Sequence, residues 1–177
     1  MQHRIVVTGL GLVTSIGIGR EAFWHNLLAG RSGIGPVQAF DTSGYRGGTQ
    51  GAEVKAFRAA DYLVHLDPAS MGRASQFATA AARLAIADAQ LDVSALDPER
   101  AGVSMGTTSG EPNAIERFDD HFVEAHLDRI GPEFIASYPC HVIPACVAGE
   151  VGFAGVNMTI PTACAAGNYA IAYAFDV

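Results

Sequence analysis

From Phe134 to Val177 only two residues, Glu150 and Asp176, carry a formal charge. A stretch this poor in charge does not suit a wet surface, so the fold must cover it. Val151 to Phe175 is long enough to raise a membrane span, but Gly152, Gly155, Asn157, Pro161, Thr162, Gly167 and Asn168 interrupt it, and no membrane span is expected. The expectation is a deeply buried segment, or one covered by a further part of the molecule or by a second subunit. Charge is sparse throughout: Asp, Glu, Lys and Arg make up 16% of 177 residues, below the roughly 25% of a typical soluble domain. With 49% hydrophobic residues, a buried core is expected, and elements that bury more than one face.

The net charge is −7, with 11 Lys plus Arg against 18 Asp plus Glu, and Lys55 is the single lysine. No basic stripe is visible, so nucleic acid is not an expected partner. MQHRIVVTGL lacks the basic, apolar and cleavage regions of a secretory signal, which makes the cytoplasm the expected location. Cys140, Cys146 and Cys164 are odd in number and form no CxxC pair, which argues against a disulfide framework and a zinc site. His121 and His126 are five apart and do not share a helix face, and no HExxH occurs, so no metal is expected. Asp119, Asp120 and Glu124 beside them read as a wet helix face. The Gly9 and Gly11 pair after an apolar run suggests a dinucleotide loop, but Thr14 stands where its third glycine belongs. No GxxxxGK[ST] loop is present either, and no cofactor is expected.

Residues 4–8, RIVVT, read as a buried strand, and Gly19–Ala29 as a helix with Phe23, Leu27 and Leu28 as its stripe and Gly30 as its stop. Residues 31–70 are rich in Gly and Pro and read as loops, with a short strand near Ala52–Val54. From Gly72 to Gln90 the spacing of Phe77, Ala81, Leu84 and Ala85 predicts one apolar helix face, with Gln76, Thr79, Arg83 and Gln90 on another. Ala101–Thr107 reads as a second strand, and Glu111 to about His126 as a helix with acidic residues near its start. Pro139 and Pro144 bracket a turn before a short helix, Ala145–Val151. Met158–Ala163 reads as a third strand, and a last helix begins at Cys164. Strands alternating with helices predict an α/β architecture on a three- or four-stranded, largely parallel sheet.

The residues around Cys164 form the one constellation with chemical promise. A β-branched strand leads into Thr162-Ala163-Cys164-Ala165-Ala166-Gly167 and then a helix. A nucleophile on a sharp strand-to-helix turn needs small neighbours, because the turn is strained and the attacking atom must project freely. Ala163, Ala165, Ala166 and Gly167 supply them, and a helix N-terminus favours thiolate over thiol. Free cysteine is also among the most buried residue types, so Cys164 reads equally as a small packing residue. Cys140 and Cys146 read as core or pocket-lining residues.

RIVVTGLGLVTSIG, AFDTSGYR, GVSMGTTSG and IPTACAAG follow one another along the chain. Together they resemble the N-terminal part of the β-ketoacyl-[acyl carrier protein] synthases, condensing enzymes of the thiolase superfamily. The resemblance runs through all 177 residues. It implies an α/β, thiolase-like layered fold, with residues 1–177 as an incomplete N-terminal ketosynthase domain that stops within the nucleophile helix. It further implies that Cys164 accepts an acyl chain from an acyl carrier protein thioester, and that a malonyl thioester is decarboxylated and attacks it. The Cys164 backbone N–H would be one of two oxyanion donors, with Thr162, Ala163, Ala165 and Gly167 supporting the turn. Thr108 and Ser109 carry over from a family loop as acyl-pocket candidates.

A homodimer, or a heterodimer of ketosynthase-type subunits, is implied as well. The family's two catalytic histidines, its lysine and its second oxyanion loop belong to a C-terminal half outside these residues, so this chain alone is expected to form no carbon–carbon bond. Pro161 departs from the family pattern, as do a shortened GEVGFAGVNM stretch and a GTTSGE loop without paired glycines. Two rival readings stand beside this one: a coenzyme A-dependent relative, and a non-catalytic subunit that works with an intact partner.

Overall fold

The computed structural model describes residues 4–124 and 131–177. His3, His126 and the expected end of the helix reaching His126 lie outside them. The elements in chain order are β1 (Val13–Thr14), β2 (Gly17–Ile18), α1 (Arg20–Leu28), β3 (Gly35–Pro36), β4 (Gln50–Gly51), α2 (Arg73–Asp88), β5 (Val103–Gly106), α3 (Pro112–Val123), α4 (Glu133–Ser137), α5 (Val142–Val151), β6 (Asn157–Ile160) and α6 (Ala166–Asp176). β1–β2 and β3–β4 are two-residue antiparallel ladders, whereas β5 and β6 run parallel with Val103 opposite Asn157 and Gly106 opposite Ile160. The α/β alternation is therefore present, but the parallel sheet has two strands among the described residues, not three or four.

The difference lies at RIVVT. A β-branched run becomes a strand only where a neighbour offers a hydrogen-bonding edge, and no described strand pairs with residues 4–8. Ile5, Val6 and Val7 are exposed, Val7 to 80%. The following residues run along α2 instead: a β-carbon at Gly9 would strike the Ala85 carbonyl and one at Gly11 the Ala81 carbonyl, while the Leu10 N–H donates to Asp88 Oδ2 at 2.9 Å. These glycines serve close backbone approach, not a dinucleotide.

α1 stops as expected. Gly30 is left-handed (φ 64°), its N–H donates to the Leu27 carbonyl, and the Arg31 N–H reaches the Asn26 carbonyl at 2.9 Å, a Schellman closure. The expected stripe is only partly right, because Phe23 is half-buried while Leu27 and Leu28 are exposed. Asn26 holds the inner face by donating to the Ile16 carbonyl. The strand expected near Ala52–Val54 does not form there; the two-residue β4 lies just before it, at Gln50–Gly51.

α2 is the centre of the packing, and its faces differ from the pattern. Thr79, placed on the polar side by spacing, is fully buried together with Ser75 and Ala80. Residues 9–11 cover α2 at Ala81 and Ala85, α5 packs along it, and the Phe57, Ala59 and Ala80 cluster closes another side with Tyr62 and Phe77. A helix covered on several sides encloses small polar residues along with its alanines, at a cost for a hydroxyl such as that of Thr79 that finds no partner among the described residues. The Arg73 guanidinium lies 4.7 Å from the Phe57 ring centre and 4.4 Å from that of Phe77, extending this cluster to the rim.

Two buried glutamates join distant segments. Glu111, expected to favour the start of its own helix, precedes α3 but turns its carboxylate to the start of α2, accepting from Ala74 N at 2.9 Å and Ser75 N at 2.7 Å while 2% exposed. It thereby satisfies N–H groups that α2 leaves open at its first turn. Gly72 makes the room, since a β-carbon there would overlap the Glu111 carboxylate. Gly72→Ala is expected to push the carboxylate off both donors and to cost about 2–4 kcal/mol. Urea unfolding of the complete protein checks this, and a change below about 0.5 kcal/mol, the scale of an ordinary surface substitution, would refute it.

α5 begins before Pro144, not after it, because a proline in the first turn lacks only an N–H that has no helical partner there. It ends at left-handed Gly152 (φ 76°). Asp119, Asp120 and Glu124 are exposed on and just after α3, as expected. The uncharged C-terminal stretch is buried on one side only. Ile143, Val147, Val151, Ala166 and Ala170 are covered, whereas Ile135, Ile171, Phe175 and Val177 are exposed. Within this chain it is not the deeply buried segment that its composition suggests. Among the described residues no helix is long and apolar enough to cross a membrane.

Candidate functional site

Parallel strands place their carboxyl ends on one side, and the loops leaving those ends are the usual home of a site. Here the loop after β5 carries Thr107 to Gly110, and the loop after β6 carries Pro161 to Ala165. The β6 strand stops at Ile160, three residues before the expected end at Ala163. Pro161 explains this, since it has no N–H to give a neighbouring strand, and in this position no strand pairing is lost.

The chain then turns sharply. Thr162 has φ −117° and ψ 56°, and Ala163 has φ 28°, in the region L-residues rarely adopt. Holding a non-glycine there costs about 1–3 kcal/mol, and such strain gathers at functional turns. The Ala165 N–H closes the turn onto the Thr162 carbonyl at 2.9 Å, and Ala163–Ala165 form a single tight turn that feeds α6. The last helix thus begins at Ala166, two residues later than expected, and leaves Cys164 outside it.

Cys164 is exposed within this chain, so the described residues lend no support to the packing reading at this position. That reading fits the other thiols better, as Cys140 and Cys146 are each partly covered. Burial pushes the Cys146 thiol up, a Ser75 hydrogen bond opposes this, and nearby Glu111 adds to it, so Cys146 is poorly placed to ionise. Of the expected supporting residues, Thr162, Ala163 and Gly167 are exposed and Ala165 is half-buried. A β-carbon at Gly167 would meet nothing within 4 Å in this chain, so smallness there is not demanded by these residues.

Thr108 and Ser109 are exposed in the neighbouring loop, where Thr107 Oγ1 donates to the Ser109 carbonyl at 2.9 Å. Gly110 ends this loop pressed against the Tyr138 carbonyl. Cys164 and the two pocket candidates therefore occupy adjacent loops on one edge, although they lie far apart in sequence. Ser104 and Gly106 on β5, which touch α6 at Ala170 and at its first residues respectively, escaped the sequence reading. The only cue was a serine and a glycine two apart in a short strand. Among the described residues no group of three or more His, Cys, Asp or Glu side chains is arranged to hold a metal.

The family model "Beta-ketoacyl synthase, N-terminal domain" matches residues 2–177. The 3-oxoacyl-[acyl-carrier-protein] synthase 2 of Synechocystis sp. is 36% identical over 174 residues, covering 98% of this chain and 42% of the relative. A solved structure described as the ishigamide ketosynthase/chain length factor superposes with a TM-score of 0.91 at 36% identity, over 99% of this chain and 44% of the other. A β-ketoacyl synthase from Burkholderia phymatum gives a TM-score of 0.81 at 27% identity, over 97% of this chain and 42% of the other. The chain thus spans less than half the length of these relatives, and its fold is the N-terminal part of the thiolase-like ketosynthase fold. With the whole of residues 2–177 matched by that model, the chain belongs to the β-ketoacyl synthase family.

Proposed function

We propose that these residues are the nucleophile-bearing part of a β-ketoacyl-[acyl carrier protein] synthase, and that Cys164 is the acyl acceptor. The observation that carries this reading is the exposed Cys164 thiol on a strained turn, at the carboxyl edge of a parallel pair. In the proposed reaction the Cys164 thiolate attacks the thioester carbonyl of an acyl carrier protein. An S–C bond forms to the enzyme, the old one breaks, and the carrier leaves as its thiolate, which takes up the proton that the Cys164 thiol gave up. A malonyl carrier thioester then loses carbon dioxide, and its α-carbon attacks the acyl-enzyme carbonyl. A C–C bond forms and Cys164 departs as thiolate. Splitting the condensation in this way suits a sulfur that both attacks and leaves well.

The Cys164 backbone N–H serves as one oxyanion donor, with Thr162, Ala163, Ala165 and Gly167 keeping the turn uncrowded. Thr108 and Ser109 line the acyl path from the adjacent loop. Decarboxylation depends on residues of the complete enzyme beyond residues 1–177. The exposed Ile171 and Phe175 suit a face covered in that enzyme or in a ketosynthase-type dimer. Three cysteines without a disulfide fit a reducing cytoplasm.

The test is to incubate the complete protein with an acyl-acyl carrier protein thioester, digest it and weigh the peptides. The acyl mass is expected on the peptide that contains Cys164. Acyl mass elsewhere, or none on Cys164, overturns the proposal, the latter in favour of a non-catalytic subunit. Faster acylation from a coenzyme A thioester would move the protein to the coenzyme A-dependent class.

A further inference from the structure

Ser104 and Gly106 stand two residues apart on β5 and therefore project to the same face of the strand. That face meets α6 at two points. At Gly106 there is no room for a side chain, because a β-carbon would strike the Ala166 carbonyl and come within 2.6 Å of Gly167 N. At Ser104 the hydroxyl donates to the Ala170 carbonyl at 2.8 Å. Ala166 and Ala170 are about one helical turn apart and are each 5% exposed, so they form the buried edge of α6.

The two contacts do different work. An alanine edge on a strand sets how close a helix comes, but it is smooth and allows the helix to slide or roll. A directed hydrogen bond to one carbonyl removes that freedom. The Ala170 carbonyl sits in mid-helix with two lone pairs, so it can take the Ser104 hydroxyl beside its own helical partner. Loss of the hydroxyl then orphans no helix group, and the cost to stability is small. The register of α6 is what changes.

We infer that Ser104 and Gly106 are positioning residues for Cys164: the contact at Gly106 and the Ser104 bond to Ala170 together set where the first turn of α6, and with it the Cys164 thiol, stands against the ends of β5 and β6. The inference rests on the proposed acyl-accepting role. Cys164 lies two residues before Ala166, so a shift of the helix passes directly to it. A displacement of about 1 Å at a reacting atom costs on the order of 10²-fold in rate.

The experiment measures single-turnover acylation of Cys164 in the complete protein at saturating acyl-acyl carrier protein thioester. A first-order rate constant does not depend on the folded fraction, which alters only the amplitude, so a merely structural role would leave it unmoved. Ser104→Ala is expected to slow acylation about 10-fold with an unchanged unfolding midpoint, and Gly106→Ala about 10²-fold. Ser104→Thr keeps the hydroxyl and is expected to lie within about twofold of the parent, against the tenfold loss in alanine. A parental rate constant in Ser104→Ala, or a Thr variant as slow as the Ala variant, overturns the inference.

Iodoacetamide alkylation of Cys164 in the same proteins separates this from the functional reading, because it needs no acyl transfer. If the parent protein takes no acyl group on Cys164, the acyl-acceptor proposal fails. The alkylation rates then decide the positioning inference: a slower Ser104→Ala restored by Ser104→Thr supports it, and equal rates overturn it.

Discussion

Cys164→Ala in the complete enzyme is expected to abolish the acyl-enzyme and to lower condensation by at least about 10³-fold, the scale seen when a covalent nucleophile is removed. Among the described residues of this turn no group can take over the step. Ala163, Ala165 and Ala166 have no nucleophile, and the Thr162 hydroxyl is far less ionised than a thiol at neutral pH. Cys164→Ser is expected to fall near the alanine variant for the same reason. Cys140→Ala serves as the control and is expected to stay within about twofold, since nothing about its partly covered position marks it for chemistry. Rates are read by product formation and the acyl-enzyme by peptide mass. A Cys164→Ala enzyme that retains more than a hundredth of the parental rate would exclude Cys164 as the acceptor.

The largest expected effect on stability is at Glu150. It is 0% exposed, and its carboxylate accepts from Val64 N at 2.7 Å, Leu66 N at 2.9 Å and His65 N at 3.0 Å, with Arg83 Nε 3.8 Å away. One side chain on α5 thus holds the loop that runs over it, 84 to 86 residues away in sequence. Glu150→Ala leaves three backbone donors without their acceptor and opens a space in the packing. Its expected cost is about 3–5 kcal/mol in the complete protein. Urea unfolding checks this, and a loss under about 1 kcal/mol, the ordinary effect of a point substitution, would show that the loop finds other acceptors.

The same site sets a pH dependence. Burial pushes the Glu150 carboxyl up, but the N–H groups of Val64, Leu66 and His65 and the Arg83 guanidinium outweigh it and leave the group below its ordinary 4.5. A carboxyl lowered by folding stabilises the fold above its unfolded value. That contribution is lost as the pH falls from there through the lower folded value. Asp41, Glu53 and Asp92 act in the same direction, each lowered chiefly by hydrogen bonds from Ser43, Gln38 and Ser94 respectively. Glu150→Gln is therefore expected to be less stable at neutral pH and to lose less on acidification than the parent. Equal slopes for the two proteins would remove Glu150 from the account.

The motif at Cys164 was legible in the sequence because its requirements are local. A β-branched run, small residues at a turn and a helix that follows are all dictated by backbone sterics within about ten residues, whereas the strand's early end at Pro161 was not read. The β5 and β6 segments, the α2 helix and the stop at Gly30 were legible for the same reason. Their periods and caps follow from bond geometry, whatever surrounds them.

Tertiary structure alone decided the rest. Glu111 and Glu150 read as ordinary acidic residues until packing brings them to N–H groups 36 and 86 residues away. Thr79 reads as polar until α5, residues 9–11 and the aromatic cluster enclose its helix. RIVVT reads as a strand, yet a strand exists only with a hydrogen-bonding neighbour, which no short run can supply for itself. Ser104 and Gly106 gained their meaning when α6 settled on β5. The sequence by itself determined the sharp turn before α6 and those elements whose signals are local, among them α2, β5 and the stop at Gly30, because these arise from each residue's own geometry and its near neighbours. Which polar group meets which, and which apolar face is covered, depended on the packing of distant segments, where burial makes an unmet hydrogen bond costly and so selects one arrangement.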